Sequence, residues 1–351
     1  MQTIAETLRR PPFGAKREVV VITGATAGVG RATAHAFARR GARVGLVARD
    51  AEALAETARD VAAHGGEAAT CVADVARASD VEHAAALFEE RLGPIDVWVN
   101  NAMVTVVSPV ALLAPDEVHR VTEVNYLGTV YGTLAALRRM GPRNRGTIVQ
   151  VGSALAYRAI PLQAPYCATK FAIRGFTDAL RSELIHDGSR VHVTMVHMPA
   201  LNTPQFDWCR TRMPREPQPV PPVFQPEVAA RAIVWAAHHR RRELLVGAPT
   251  VKAVWLNKFA PGLLDRYLAR FGYTSQEAST PVAPDRVDNL FAPVHGDYAA
   301  HGRFDAIARP RSVELWLETH TTLVLGLAAL VGALVWRAGW GKRAARTPIA
   351  R

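Results

Sequence analysis

Residues 18–40 read EVVVITGATAGVGRATAHAFARR. The run from Val19 to Thr23 is almost wholly β-branched and apolar, which suits a strand buried on both faces, as in a parallel sheet. Glycines 24, 28 and 30 follow, and then a helix-forming, alanine-rich segment. Glycine at a strand-to-helix turn lets the backbone bend tightly and approach a pyrophosphate, whose charge the amides of the helix N-terminus meet. Taken alone, such a triplet is also an ordinary glycine-rich turn. Its position in the first strand-helix unit is what points to a dinucleotide.

Outward from this unit, short β-branched runs alternate with longer segments of helical period. The strands read EVVVIT (18–23), RVGLVA (43–48), EAATCV (67–72), IDVWVN (95–100), GTIVQVG (146–152), VHVTMV (191–196) and ELLVG (243–247). This alternation predicts a doubly wound parallel sheet with helices on both faces. Six prolines between 211 and 226 exclude helix or central strand there and predict a loop, placed where long loops cover a ligand. Residues 250–270 read as helical and 272–310 as irregular. From Thr321 to Trp336 no residue is charged.

The composition is that of a globular protein, 49% hydrophobic and 21% charged, with a formal charge of +11. The basic residues are spread along the chain and form no run interleaved with aromatics, which argues against nucleic acid as partner. Cys71, Cys167 and Cys209 are far apart and odd in number, and no HExxH spacing occurs, so neither a disulfide framework nor a metal site is expected. The first 18 residues lack the apolar stretch of a secretion signal, which leaves the cytosol as the expected compartment of the catalytic domain.

The interval TGxxxGxG at 23–30, Asn100-Asn101-Ala102 after the fourth strand, Asn125, Ser153, and YxxxK at Tyr166 and Lys170 occur in this order, with 13 residues from Ser153 to Tyr166. In these features residues 15–250 resemble the classical short-chain dehydrogenase/reductase family. The resemblance implies a Rossmann-type α/β fold and a catalytic set of Asn125, Ser153, Tyr166 and Lys170. It also implies a cofactor set of Thr23, Gly24, Thr26, Gly28, Val29, Gly30, Arg49, Asp74, Val75, Asn101, Ala102, Tyr166, Lys170, Pro199 and Thr203. Two positions depart from the family pattern: Met103 stands where glycine is usual, and Ala200 follows Pro199 in place of glycine.

The residue types suit the chemistry. A carbonyl oxygen gains negative charge as hydride arrives, so a proton donor must be within hydrogen-bond reach. Lys170, one helical turn from Tyr166, and a cationic nicotinamide would both favour the phenolate. Ser153 would donate to the developing oxyanion, and the resemblance makes Asn125 the holder of a water in a proton relay through Lys170. Ala48 occupies the place of the acidic residue that bonds the NAD ribose, and Arg49 follows it, so NADP(H) is expected to be preferred, with NAD(H) admitted. Phe206 and Trp208 are expected to line an apolar pocket or to pack in the core.

The expected function is interconversion of a ketone or aldehyde and an alcohol, on a hydrophobic small molecule. A dinucleotide-binding regulator or scaffold is the rival that Met103 and Ala200 keep open, and epimerase or dehydratase chemistry on a nucleotide sugar is a weaker third. The expected organisation is an N-terminal arm (1–14), a catalytic domain (15–250), a partly irregular extension (251–314), a hydrophobic segment (315–340) and a basic tail (341–351). The hydrophobic segment is expected to attach the enzyme to the cytoplasmic face of a membrane, with a spanning helix, an interfacial helix and a buried or dimer-contact helix all left open. A homodimer or homotetramer, built on helices at 116–140 and 163–187, is the family expectation.

Overall fold

The computed structural model describes residues 17–321 apart from 297 and 298, together with Val324, Gly326 and Trp336. The N-terminal arm, the basic tail and most of the hydrophobic segment 315–340 lie outside the described residues. Among the described residues no helix is long and apolar enough to cross a membrane.

Seven strands make one sheet: β1 Val19–Thr23, β2 Arg43–Ala48, β3 Glu67–Val72, β4 Val97–Asn100, β5 Thr147–Ser153, β6 His192–Met198 and β7 Glu243–Leu245. Their spatial order is β7-β6-β5-β4-β1-β2-β3, and every pairing is parallel. The chain therefore starts at the centre and reverses direction between β1 and β4, which opens a crevice beyond the carboxyl ends of those two strands. All five residues of β1 are buried, as a strand covered on both faces requires. Helix Gly28–Ala38 packs against Pro226–His238, while Ala78–Leu92 packs against Gly128–Met140. The second pair closes over Val19, Val21 and Trp98, with Phe88 fully buried between sheet and helix.

Residues group into two compact units, 1–312 and 313–351. Within the first, two departures from the sequence expectations have one cause. Arg210–Thr211 and Arg215–Pro217, in and beside the proline-rich loop, are short strands paired with Val106–Val107 and Glu277–Pro281. Their partners are distant in the chain, so no local periodicity announces them. The proline sits at the edge of a two-stranded ribbon, where a missing N–H is tolerated. The helical region 250–270 is two helices, Ala248–Phe259 and Pro261–Phe271, divided at Pro261. The expected helix at 116–140 is interrupted by a π-helical turn, Glu123–Leu127, which carries Asn125.

In the second unit, Val313–Thr319 is helical.

Candidate active site

A cavity of about 470 Å³ occupies the crevice at the carboxyl ends of the strands. That is within the roughly 300–1,000 Å³ typical of ligand pockets. One end is the glycine turn. Gly24 holds φ +66°, in the left-handed region open to glycine. A Cβ on Gly30 would lie 1.9 Å from the Gly24 carbonyl oxygen. Thr23 and Asn101 brace this turn from beneath: the Thr23 hydroxyl accepts from the amides of Asn101 and Ala102 at 3.0 and 3.1 Å, and Asn101 Nδ2 donates to the Thr23 and Gly24 carbonyls at 3.0 Å each. Thr26, Gly28 and Val29 line the cavity at the N-terminus of helix Gly28–Ala38, whose first turn contains no acidic residue. A dinucleotide pyrophosphate fits this cradle, because the turn is too tight for side chains at 24 and 30 and brings Thr26, Gly28 and Val29 to the cavity at a helix N-terminus.

The end expected to take the adenosine is built from the ends of β2 and β3. Arg49, Asp74 and Val75 line it, and Ala48 offers no carboxylate. The neighbouring Asp50 caps helix Ala51–Ala63 by accepting from Ala53 N at 2.9 Å. Arg49 donates to the carbonyls of Asn289 at 2.6 Å and Leu290 at 3.5 Å. Arg120 donates from Nε to the same Leu290 carbonyl at 3.1 Å and pairs with Asp74 at 2.5 Å. Against the cost of burial, Arg120 and the Ala76 amide hold the Asp74 carboxyl below its ordinary value.

The other end carries the groups expected to do chemistry. Ser153 ends β5, and helix Ala164–His186 brings Tyr166 and Lys170 to the same wall. Ser153 Oγ accepts from Leu155 N at 3.1 Å, and its nearness to Tyr166 favours the phenolate. Burial pushes the Tyr166 phenol above its ordinary value, and the Ser153 hydrogen bond only partly opposes this. Lys170 is buried, donates to Val151 O at 2.7 Å and lies 5.4 Å from the centre of the Tyr166 ring. Burial brings its ammonium down to about 8. Pro199 and Thr203 follow β6 and line the same cavity, with Thr203 against Gly28.

Asn125 is not among the lining residues. Its amide pairs with the Val104 backbone in both directions, at 2.8 and 3.0 Å, and donates to Thr169 Oγ1 at 3.3 Å. Met103 and Ala200, the two departures, both face the cavity, as do Phe206 and Trp208. Phe206 is nearly buried and packs edge-on to Phe304, so it serves core and cavity at once.

Two groups of lining residues, and one pair behind the wall, had no signal in the sequence. Pro293 and Val294 belong to a strap, 289–296, beside Arg49 and Asp50, and Ala299 beyond it accepts from Gly28 N at 3.0 Å at the glycine turn. Tyr267, Leu268 and Phe271 enter from helix Pro261–Phe271. Behind Ser153, the buried His197 contacts its carbonyl through Nδ1 at 3.1 Å and Glu243 through Nε2 at 3.0 Å. None of these belongs to a short motif.

The chain is similar to several known proteins. The family model described as short chain dehydrogenase matches residues 18–212. An uncharacterized oxidoreductase of Bacillus subtilis, YxnA, is 31% identical over 325 residues, covering 92% of this chain and 90% of that one. A 3-dehydrosphinganine reductase of Danio rerio is 32% identical over 223 residues, 61% of this chain and 67% of that one. Among solved structures, an alcohol dehydrogenase from the archaeon Thermococcus sibiricus complexed with 5-hydroxy-NADP superposes with a TM-score of 0.57 at 28% identity, covering 65% of this chain and 95% of that chain. A metagenomic short-chain oxidoreductase in complex with NADP gives 0.55 at 27% identity, covering 65% and 96%.

Proposed function

The chain belongs to the short-chain dehydrogenase family and is an NAD(P)-dependent oxidoreductase; from that premise we propose that it uses NADP(H) to interconvert an apolar ketone and its secondary alcohol, with Tyr166 moving the proton. The observation that carries this reading is the shared wall of one cavity on which Ser153, Tyr166 and Lys170 stand, with the glycine cradle at the opposite end.

When bound, the nicotinamide supplies or accepts the hydride. The chain's own groups handle the charge and the proton. In the reductive direction the hydride goes to the carbonyl carbon, and negative charge grows on the oxygen. Tyr166, held protonated by burial, gives that oxygen its proton and completes the alcohol. Ser153, whose lone pair is engaged by Leu155 N, would turn its hydrogen to the same oxygen when substrate is bound. The Lys170 ammonium, fixed by Val151 O, stabilises the phenolate that Tyr166 becomes. Asn125 acts one step back, as a positioning residue: it holds Thr169, the neighbour of Lys170, and the Val104 backbone.

NADP(H) is favoured because Arg49 stands at the end of β2, with Ala48 in the acidic position and the Asp50 carboxylate engaged by Ala53 N and by His295 at 2.6 Å. Two solved neighbours are complexes with 5-hydroxy-NADP and with NADP. An apolar substrate is favoured by Leu155, Ile160, Phe206, Trp208 and Leu268 on the cavity wall.

The test is oxidation of NADPH and NADH by the full chain against a panel of apolar ketones. Turnover is expected with NADPH, and Tyr166→Phe should lower it by about 10²–10⁴ while still binding cofactor. Arg49→Ala should raise the KM for NADPH roughly tenfold and leave that for NADH unchanged, the size expected when one charge-assisted contact is lost. Full turnover in Tyr166→Phe would remove the catalytic assignment. Equal response of the two cofactors to Arg49→Ala would remove the NADP preference.

A further inference from the structure

Helix Ala248–Phe259 buries only Thr250, and helix Pro261–Phe271 buries no side chain at all. Their outer faces carry Trp255, Leu256, Phe259, Leu263, Tyr267 and Phe271, with Phe259 75% and Leu263 68% exposed. The placement is regular. Trp255 and Phe259 are one helical turn apart and stacked at 6.0 Å, and Leu263, Tyr267 and Phe271 continue at the same interval on the next helix, the last two rings 5.1 Å apart. Single exposed apolar side chains are ordinary, but a stripe of aromatics over two consecutive helices marks a surface that meets something.

Charge says what it meets. Between Ala248 and Gln276 the bases are Lys252, Lys258, Arg266 and Arg270, and the only acid is Asp265. Asp265 is exposed but paired with Arg158 at 2.5 Å, which offsets its charge. Lys258 Nζ lies 5.6 Å from the Trp255 ring centre, and the Arg270 guanidinium 5.5 Å from that of Phe271, so cations flank the apolar stripe. A second copy docked through the same face would set these bases against each other, since a two-fold interface is self-complementary. An anionic lipid surface satisfies both halves of the pattern: aromatic and leucine side chains enter the headgroup boundary while the basic ends meet phosphates.

We propose that helices Ala248–Phe259 and Pro261–Phe271 dock this enzyme on an anionic lipid bilayer. Tyr267 and Phe271 belong both to the exposed stripe and to the cavity wall, so docking brings the cavity mouth against the lipid. Entry of substrate from the bilayer through this mouth rests on the apolar-substrate reading above. The docking itself does not.

The experiment sediments the full chain with vesicles of phosphatidylcholine alone, or of phosphatidylcholine mixed with phosphatidylglycerol. Wild type should bind the anionic vesicles roughly tenfold more tightly than the neutral ones, and F259E combined with L263E should lose roughly tenfold or more, as should K258Q combined with R270Q. None of these four residues lines the cavity, so turnover of a water-soluble ketone should be unchanged and reports that the variants are folded. Equal vesicle binding by wild type and both double variants would overturn the proposal and place any attachment elsewhere in the chain. So would absence of binding by wild type, or a change in oligomeric state with vesicle binding intact. A failure to reduce any apolar ketone would sink the substrate reading and leave the vesicle result standing.

Discussion

Lys170 shows how one buried cation couples chemistry to stability. In the folded chain its ammonium titrates at about 8, against an ordinary value of 10.5. The folded state therefore gives up this proton earlier than the unfolded one. Between about pH 8 and the ordinary lysine value the unfolded chain binds more protons, so stability rises with pH through that window, and below it the penalty of burying the charge is fully present. Tyr166, shifted upward by burial, acts oppositely only above the ordinary tyrosine range, where unfolded tyrosine ionises first. Denaturant unfolding of wild type and Lys170→Met across pH 7–10 should show the wild type gaining on the variant above about pH 8. A constant difference across the range would mean that Lys170 is not held in a desolvated site. At the same scale, Gly24, Thr26, Gly28, Val29, Ser153, Tyr166 and Lys170 reach the cavity while Thr23 and Gly30 shape the turn behind it, because each motif is short and is presented by the end of one strand or the start of one helix. Asn125 was legible as a residue but not as a geometry. Its partner Val104 is reached only when the π-helical turn and the loop after β4 meet.

The ends of β6 and β7 hold an element-scale device. His197 on β6 bridges the Ser153 carbonyl at the end of β5 and the Glu243 carboxylate at the start of β7. Tyr157 and Arg242 also donate to Glu243. The buried His197 imidazole, together with these donors, holds the Glu243 carboxyl well below the usual carboxylate range against the cost of burial. The stability this contributes is present above the ordinary carboxylate value and is lost as pH falls below it. Glu243→Gln should cost about 1.5–3 kcal/mol at neutral pH, the size of a hydrogen bond to a charged group, read as a lower midpoint in urea. It should also lower kcat for ketone reduction more than it raises KM, because Ser153 loses the support behind its carbonyl. An unchanged kcat in a destabilised variant would leave the network a purely structural role. Strand positions were readable from β-branched runs, but this coupling was not: in sequence His197 and Glu243 are a strand residue and the start of another strand.

For the whole first unit, the strap 289–296, with Ala299 beyond it, is the feature that most changes the cofactor end. Its Asn289 and Leu290 carbonyls hold Arg49 and Arg120, His295 meets Asp50, and Pro293 and Val294 add apolar wall. Replacing Pro293, Val294 and His295 together with glycine should weaken NADPH binding about tenfold, or ~1.4 kcal/mol, and shrink the rise in Tm that saturating NADPH produces. Tighter binding in that variant would show instead that the strap competes for the Gly28 amide through Ala299. The amino-acid sequence by itself determined the parallel α/β sheet, the positions of its seven strands along the chain and the place of the glycine turn. These follow from burial periodicity and turn chemistry within windows of a few residues. Only the tertiary structure decided what covers the cofactor end, what backs Ser153 and which helix faces stay bare, since each depends on contacts between residues tens to hundreds of positions apart, and no local pattern encodes such a contact.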